Sequence, residues 1–470
     1  MPFILGTNSI KDTGYNVDNS LRFNDGSSDY LNRTPSSASN RKTWTFSSWF
    51  KISGGSSSRF FTAQTDGNNI VDFSVETNGT LYLGIYEGGS WKELVPNRLF
   101  RDFSSWYHFV IACDTTQSTA SNRLKLYVNG EQITSFATEV YASQDYDTAI
   151  NNNVVHRIGA YVNNGLTFDG YMAEVCFIDG SQLAADSFGE FDSNSSTIWK
   201  PIDVSGLTFG TNGFYLEFKQ AGTSANASGL GADTSGNTHH FTVNNLTAVD
   251  QSTDTCTNNF NIMNRLYAWT YDMSFSDGNL SCSGTQNQWQ GAIGSMGINT
   301  GKWYYEVKFT SATDVGAFYI GFGGLDDFLP GSPGFRNAVA FYNDDGGEVN
   351  VADTSNTAVT TADYGTFANG DIMGVALDYD NELITIYKNG SAIVTNFDYG
   401  ATTYPSTIKD GKTISPVAGH YGSGSISFNF GSPPFAISSS NADARGHGNF
   451  EYAVPSGYFA LCSKNLAEFG

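Results

Sequence analysis

The feature that most constrains the fold is a recurring pattern of short segments in which apolar and polar residues alternate. Examples are residues 43–52 (TWTFSSWFKI) and 301–309 (GKWYYEVKF). Successive side chains of a β-strand point to opposite faces of a sheet, so a period of two is typical of strands with one buried face. Long segments with apolar residues at helical spacing are missing from the sequence. The chain is therefore predicted to be all-β.

Turn residues between these segments predict how the strands connect. Asn129-Gly130 and Asn389-Gly390 each follow an alternating segment and precede a short return. The Asn-Gly pair favours the two-residue turns whose twist matches that of a β-hairpin. Because the same device occurs in both halves of the chain, we expect two copies of one broad architecture, an antiparallel β-sandwich.

Length and local composition place the domain boundaries. A chain of 470 residues corresponds to two or three domains at roughly 100–200 residues each. Residues 220–261 are rich in Gly, Ser, Thr and Asn and carry few periodic apolar residues, as a connecting segment does. We expect an N-terminal arm over residues 1–14, a first sandwich over 15–219, a connection over 220–261 and a second sandwich over 262–470.

The charge balance argues against two classes of partner. The sequence has 24 Lys and Arg against 46 Asp and Glu, a net charge of −22. Nucleic-acid affinity comes largely from Lys and Arg that neutralise phosphates, so no nucleic-acid partner is expected. The same charge disfavours an anionic membrane surface. No apolar run of about 18 residues is present, and membrane insertion is not expected.

The cysteines and the first residues bear on where the chain folds. The five cysteines, an odd number, form no CxxC pair and no disulfide framework. Free thiols fit folding in a reducing cytosol. The first six residues, MPFILG, have no basic region and a short apolar stretch. We therefore expect no signal peptide.

The first half of the chain resembles the laminin G and pentraxin group of concanavalin A-like jelly rolls. The resemblance lies in Trp44–Phe50 (WTFSSWF), Trp106–Phe109 (WYHF), Leu126–Gly130 (LYVNG) and Phe168–Val175 (FDGYMAEV), in that order. It extends over about residues 15–218 and implies a jelly-roll fold.

The second half resembles the SPRY domain. The resemblance lies in Gly301–Val307 (GKWYYEV), Tyr319–Phe322 (YIGF), Gly370–Asp378 (GDIMGVALD), Ile384–Gly390 (ITIYKNG) and Phe428–Gly431 (FNFG). It covers about residues 262–470. It implies a second jelly-roll-like sandwich that binds proteins or peptides through loops at one end and is not an enzyme.

The combination of these two domains resembles structural proteins encoded by marine bacteriophages. The resemblance implies a virion protein made in the host cytoplasm, namely a tail fibre or receptor-binding protein that recognises a host cell-surface glycan or protein. The alternative is a capsid or tail decoration protein that acts through assembly contacts. A polysaccharide depolymerase is a third, less favoured reading. Expected partners are other virion proteins, to which residues 1–14 could anchor, and further copies of the chain in the particle.

Motifs for catalysis are incomplete, so an enzyme is not expected. Jelly rolls of this type can carry Glu-x-Asp-x-x-Glu, because retaining glycoside hydrolysis needs two carboxylates about 5–5.5 Å apart. The nearest match is Glu190-Phe191-Asp192, where Ser195 stands in place of the second Glu. No Gly-x-Ser-x-Gly elbow and no HExxH spacing are present.

Two groups of aromatic residues are predicted to bind a ligand, because sugar sites place aromatic rings beside polar groups. Tyr86 and Trp91 flank a Gly-rich hairpin tip. The second group lies on a long loop of the second half, where function tends to sit, and comprises Asp326, Asp327, Phe328, Phe335 and Arg336. The alternative is that these aromatics cap the ends of the sandwiches.

A calcium site is the one cofactor that the sequence suggests. The jelly-roll group often holds Ca²⁺, which takes six to eight oxygen ligands. Asp344, Asp345 and Glu348 form a dense set of oxygen donors, although their spacing is not that of an EF-hand. A solvated acidic turn is the alternative.

Overall fold

The computed structural model of the protein describes residues 4, 14–54, 57–267, 273–284, 289–312, 318–324, 337–343, 346–352, 358–360, 363–365, 367–401, 408 and 411–470. The chain divides into two units, residues 13–257 and residues 1–12 with 258–470. Each unit consists of β-sheets packed as a sandwich, so the all-β prediction is confirmed. Among the described residues no helix is long and apolar enough to cross a membrane.

The described residues of the first unit form eighteen strands. They are β1 (Ser20–Phe23), β2 (Tyr30–Arg33), β3 (Thr43–Ile52), β4 (Ser58–Asp66), β5 (Asn69–Val75), β6 (Leu81–Glu87), β7 (Ser90–Pro96), β8 (Trp106–Asp114), β9 (Leu124–Val128), β10 (Glu131–Gln132), β11 (Phe136–Glu139), β12 (His156–Ile158), β13 (Gly170–Asp179), β14 (Gly189–Asp192), β15 (Ser195–Pro201), β16 (Phe214–Leu216), β17 (Thr242–Asn244) and β18 (Gln251–Ser252). Short 3₁₀ turns cover Asp25–Ser27, Ala120–Asn122, Ala185–Ser187 and Ala248–Asp250.

These strands form two eight-stranded sheets and one hairpin. Sheet A has the order β10-β9-β8-β3-β13-β1-β18, with β16 also paired to β13. Sheet B has the order β11-β7-β6-β5-β4-β12-β2-β17, and β14 and β15 form a two-stranded sheet. The inner faces of the two sheets enclose an aromatic core, in which Phe46 of sheet A stacks on Phe61 of sheet B with ring centroids 4.6 Å apart.

The predicted connection lies largely within this first unit. Leu230, Phe241 and Leu246 are buried in its core, and β17 extends sheet B. Residues 220–257 therefore fold with the first sandwich, although their composition is that of a linker. Few apolar residues of this segment are needed, because the other strands supply most of the core.

The second unit contains fourteen described strands and one described α-helix. The strands are β19 (Ser274–Ser276), β20 (Ser281–Gly284), β21 (Trp289–Ile293), β22 (Lys302–Ala312), β23 (Phe318–Gly324), β24 (Ala338–Tyr342), β25 (Glu348–Ala352), β26 (Ala358–Thr360), β27 (Ile372–Asp378), β28 (Leu383–Lys388), β29 (Ser391–Asp398), β30 (Ile414–Tyr421), β31 (Gly424–Asn429) and β32 (Phe459–Ala460). The helix α1 is Ser463–Phe469, and a 3₁₀ turn covers Arg265–Tyr267.

The second sandwich packs sheet C against sheet D. Sheet C has the order β19-β20-β31-β22-β27-β28-β29, with β32 in parallel beside β22, and sheet D has the order β21-β30-β23-β24-β25-β26. Trp303, Tyr305 and Phe322 lie in its core. Ile4 pairs in parallel with Met296, its N–H donating to the Ser295 carbonyl over 3.1 Å. Ile4 is thus hydrogen-bonded to the second sandwich.

Candidate functional site

Sheet B presents two chemically different faces, because side chains alternate along its strands. On β5, β6 and β7 the core face carries Phe73, Leu83 and Leu94. The register places Gly84 of β6 between Asp72 of β5 and Glu93 of β7 on the opposite, outer face. We call the functional groups of this outer face the aromatic face, which comprises Arg59, Asp72, Tyr82, Tyr86, Trp91, Glu93 and Tyr161.

Three aromatic rings meet on β6 and β7. Tyr86 and Trp91 are direct cross-strand partners, with ring centroids 5.0 Å apart. Tyr82 meets Trp91 edge-on at 5.9 Å. The two-residue turn Gly88-Gly89 has φ values of +55° and +94°, a backbone that glycine adopts without cost. Tyr86 and Trp91 therefore stand on strands rather than on a loop tip, and both are half-buried.

Tyr82 lies across Gly84 to reach the next strand. Its hydroxyl donates to Oε1 of Glu93 over 3.1 Å. A Cβ at Gly84 would stand 2.5 Å from a carbon of the Tyr82 ring, so only glycine leaves room for this arrangement. Burial raises the pKa of Tyr82, and the negative charge of Glu93 raises it further, which keeps the phenol protonated as a donor.

A charged cluster continues the aromatic face on β4 and β5. The Arg59 guanidinium lies 3.3 Å from Asp72 and 3.4 Å from Glu76, and it stands over the Tyr161 ring at 5.7 Å. The Asp72 side chain is only 4 % exposed, and burial raises the pKa of its carboxyl to about 6, against the opposing effect of Arg59. Asp72 and Glu76, with Glu93 on the next strands, give this part of the face three carboxylates beside the Arg59 guanidinium, an arrangement that favours neutral or cationic ligands over anionic ones.

The other predicted site residues belong to the second half of the chain. Asp326, Asp327, Phe328, Phe335, Arg336, Asp344 and Asp345 lie outside the described residues. Glu348 begins β25, with its side chain half-buried. Within the described part of the chain, no three His, Cys, Asp or Glu side chains lie close enough together to hold a metal ion.

The incomplete glycosidase motif begins on β14, and its two carboxylates, Glu190 and Asp192, both pair with a lysine. Lys200 Nζ lies 3.3 Å from Glu190 and 3.4 Å from Asp192. Both carboxylates therefore share one ammonium on the surface of the β14–β15 hairpin. Ser195, at the place of the second Glu, forms the start of β15. The motif holds the hairpin together and offers no pair of free carboxylates.

A serine–histidine contact in sheet A has the wrong polarity for catalysis. Ser47 Oγ lies 2.9 Å from Nε2 of His108, while Trp199 donates its indole N–H to Nδ1 over 3.0 Å. Because Nδ1 accepts, the neutral ring carries its proton on Nε2 and donates to Ser47. Burial lowers the pKa of His108 to about 3, so the ring stays neutral. His108 cannot take a proton from Ser47 in this state.

The space around this contact is too small for a substrate. The cavity is lined by Ser47, Trp49, His108, Glu174 and Cys176 among others. The cavity volume is about 10 Å³, which leaves room for about one water molecule. The outer face of sheet A is covered by residues such as Phe188, Val204 and Phe209. On sheet B, by contrast, Tyr82, Tyr86, Trp91 and Glu93 of the outer face are partly exposed.

Sequence reasoning identified Tyr86 and Trp91 but missed Tyr82, Glu93, Arg59 and Asp72. The missed residues occupy the polar positions of alternating strands, where a solvated residue and a ligand contact have the same pattern. The glycine at position 84, inside an otherwise good strand, was the one available signal, since such a glycine often marks a close approach to the backbone.

Comparisons with known proteins agree with the architecture. The family model described as the concanavalin A-like lectin/glucanases superfamily (a laminin G type) matches residues 25–186, and the SPRY domain model matches residues 302–433. No curated protein matches the chain.

Three solved structures illustrate the likenesses found. The SPRY domain of human HERC1 is 13 % identical, with a TM-score of 0.27, covering 35 % of this chain and 96 % of that one. A SAP-like pentraxin from Limulus polyphemus is 17 % identical, with a TM-score of 0.27, covering 36 % and 80 %. Domains LG4-5 of the mouse laminin alpha1 chain are 10 % identical, with a TM-score of 0.30, covering 89 % and 91 %.

The observed fold and the two family matches place the chain in a class of proteins built from consecutive β-sandwich domains. Domains of this class are typically binding or structural modules rather than catalytic ones. More particularly, the chain carries a laminin G/concanavalin A-like domain followed by a SPRY domain.

Proposed function

We propose that the protein is a bacteriophage virion protein of the tail-fibre or receptor-binding kind, and that its first sandwich recognises a host cell-surface glycan through the aromatic face. The observation that carries the glycan proposal is the packing of Tyr82, Tyr86 and Trp91 beside the Glu93 carboxylate. Aromatic rings give apolar contact area for the faces of sugar rings, while phenol and carboxylate groups bond to hydroxyls.

The geometry of the aromatic face favours an extended neutral or amino-sugar chain. The face spans β4 to β7, about 14 Å at the ordinary spacing between strands. Glu93, Asp72 and Glu76 outnumber Arg59, so uronic acids and sulfated sugars would meet repulsion. A chain of several sugar units could contact the Trp91 cluster at one end and Tyr161 at the other.

Binding rather than hydrolysis is the expected activity of this face. Asp72 and Glu93 flank Gly84, which gives the two carboxylates that a glycosidase would need. Asp72, however, is almost fully buried and paired with Arg59, and the Tyr82 ring covers Gly84 between them. A glycosidic oxygen cannot reach Asp72 without displacing both side chains.

Glycan binding is tested with the purified full chain on an array of neutral, amino, uronic and sulfated oligosaccharides. Trp91→Ala is expected to weaken binding to neutral or amino sugars by at least about tenfold, the loss typical of a central aromatic contact. Phe191→Ala, at an exposed aromatic of the β14–β15 hairpin, is the matched control and should leave binding unchanged. Equal binding by wild type and Trp91→Ala would refute the proposed face.

The virion proposal rests on the resemblance of the two-domain combination to marine phage structural proteins, and it is tested separately. Immunogold microscopy of intact particles, with antibody against residues 262–470, should place gold at the tail tip or fibres. Gold over the capsid shell would support the alternative, a decoration protein. Absence of the protein from particles would contradict both readings.

A further inference from the structure

The most deeply buried ion pair among the described residues joins two distant parts of the first sandwich. Lys51 Nζ on β3 lies 2.7 Å from Oδ2 of Asp254, and the two side chains are 0 % and 1 % exposed. Asp254 follows β18, near the end of the unit. The contact spans 203 residues of sequence. A crosslink here would fasten the last segment of the unit to the middle of sheet A.

Two aromatic side chains lie beside this pair. The Tyr171 ring centroid is 5.6 Å from Lys51 Nζ, and Trp106 packs against Tyr171 at 6.1 Å. A buried ion pair without water is costly, because both charges have lost their hydration. Burial lowers the pKa of Lys51, which favours the amine.

The second carboxylate oxygen of Asp254, Oδ1, accepts a hydrogen bond of the kind that assists acyl transfer. Trp106 donates its indole N–H to Oδ1 over 3.1 Å. A donor at this oxygen stabilises the negative charge that develops there when a nucleophile attacks Cγ. The Asp254 backbone is fixed as well, since its N–H donates to Ser252 Oγ over 3.1 Å and its carbonyl accepts from Ser20 Oγ over 2.6 Å. The amine and the indole donor therefore both contact the Asp254 carboxyl group before any bond forms, and such contact removes much of the entropic barrier to reaction.

We propose that Lys51 and Asp254 form an intramolecular isopeptide bond. In this step one proton of Lys51 Nζ moves to Oδ2 along the 2.7 Å hydrogen bond, the resulting amine attacks Cγ, and an N–C bond forms. Charge collects on Oδ1 beside the Trp106 indole. A proton of the amine then passes to the Oδ2 hydroxyl, the Cγ–Oδ2 bond breaks and one water molecule leaves. The products are an amide and water, so the step needs no oxidant, reductant or cofactor.

The decisive test is the intact mass of the purified, folded full chain. The expected mass is lower than the sequence mass by one water molecule, and proteolysis should release a branched peptide that contains Lys51 and Asp254. The chain supplies its own matched control. Lys302 Nζ lies 2.7 Å from Asp378 Oδ2, but the Lys302 side chain is 39 % exposed, and its peptides should be recovered unlinked.

Two variants separate the crosslink from other losses of water. The double variant Lys51→Met with Asp254→Leu removes both ends without leaving a buried unpaired charge, and it should show its full sequence mass. A water loss that persists in it, as from an imide at an Asp-Gly pair, would overturn the assignment. Trp106→Phe should slow the appearance of the branched peptide. A folded wild-type chain of full sequence mass, with Lys51 and Asp254 on separate peptides, would also overturn it.

Discussion

Trp199 of β15 donates its indole N–H to Nδ1 of His108 on β8 over 3.0 Å, and this contact fastens the β14–β15 hairpin onto sheet A. Trp199 also covers Gly130 and Gly189, where a Cβ would collide with its ring. Trp199 thus determines which tautomer His108 adopts, and it holds the β14–β15 hairpin against the outer face of sheet A.

Trp199→Phe is expected to lower the free energy of unfolding by about 1–3 kcal/mol, because it leaves a buried acceptor without its donor. Urea denaturation measures the change. Trp91→Phe, on the open face of sheet B, is the control and should stay within about 0.5 kcal/mol of wild type. Equal stability of Trp199→Phe and wild type would contradict the role of this hydrogen bond.

Glu174 makes stability depend on pH in a defined direction. It is buried at a bulge of β13, with φ of +52°, and it accepts a hydrogen bond from Tyr215. Burial raises its pKa from 4.5 to about 7. Because the pKa is higher in the folded state than in the unfolded state, the protonated carboxyl contributes stability that is fully present below pH 4.5. This contribution is lost as the pH rises through about 7.

Glu174→Gln, which keeps the acceptor, should therefore reduce the decline of unfolding free energy between pH 5 and pH 8. Chemical denaturation at several pH values measures this slope. Glu190→Gln, at an exposed carboxylate paired with Lys200, serves as the control and should retain the wild-type slope. A Glu174→Gln variant with an unchanged slope would show that the carboxyl does not titrate in this range.

The Asn-Gly turns of the two sandwiches share one hydrogen-bonding device. Asn129 and Asn389 both have φ of +48°, and the following glycines have φ of +84° and +80°. Asn129 Oδ1 accepts from the His108 N–H over 2.8 Å, and Asn389 Oδ1 accepts from the Ile372 N–H over 2.9 Å. In each case the asparagine side chain extends the β-ladder of the neighbouring strand by one bond.

Replacement of either asparagine by Ala should cost about 1–2 kcal/mol, since Ala strains the left-handed backbone and removes the acceptor. Asn→Gly at the same position relieves the strain alone and should cost less. Thermal and urea unfolding of the four single variants would measure both contributions. The shared device would be refuted if Asn→Ala were as stable as Asn→Gly at both turns.

Gly84→Ala is expected to displace the Tyr82 ring and weaken glycan binding while the sandwich remains folded. The displaced ring would break the bond to Glu93 and open the contact with Trp91. Gly67→Ala, in the turn between β4 and β5, has open space around its Cβ and is the matched control. Binding assays on the two variants test the arrangement, and unchanged affinity in Gly84→Ala would show that the Tyr82 position does not matter.

Much of the fold follows from local patterns in particular segments. The alternation in residues 43–52 and 301–309 gives β3 and the start of β22, and the Asn-Gly pairs give the β9–β10 and β28–β29 turns. The segment 220–261 was misleading because its composition is polar, while Leu230 and Phe241 complete the first core. Composition alone does not show which of the few apolar residues in a polar segment reach a core.

The sequence by itself determined that the chain is all-β, where its tight turns fall and that two sandwiches follow one another. These properties depend on interactions within a few residues: the period of two, the left-handed backbone of Asn-Gly and the burial of alternate side chains. Only the tertiary structure brought Lys51 to Asp254, Trp199 to His108 and Tyr82 across Gly84 to Glu93. These contacts depend on which strands pair, in which register they pair, and where segments distant in the sequence pack against them. No local sequence pattern specifies any of these.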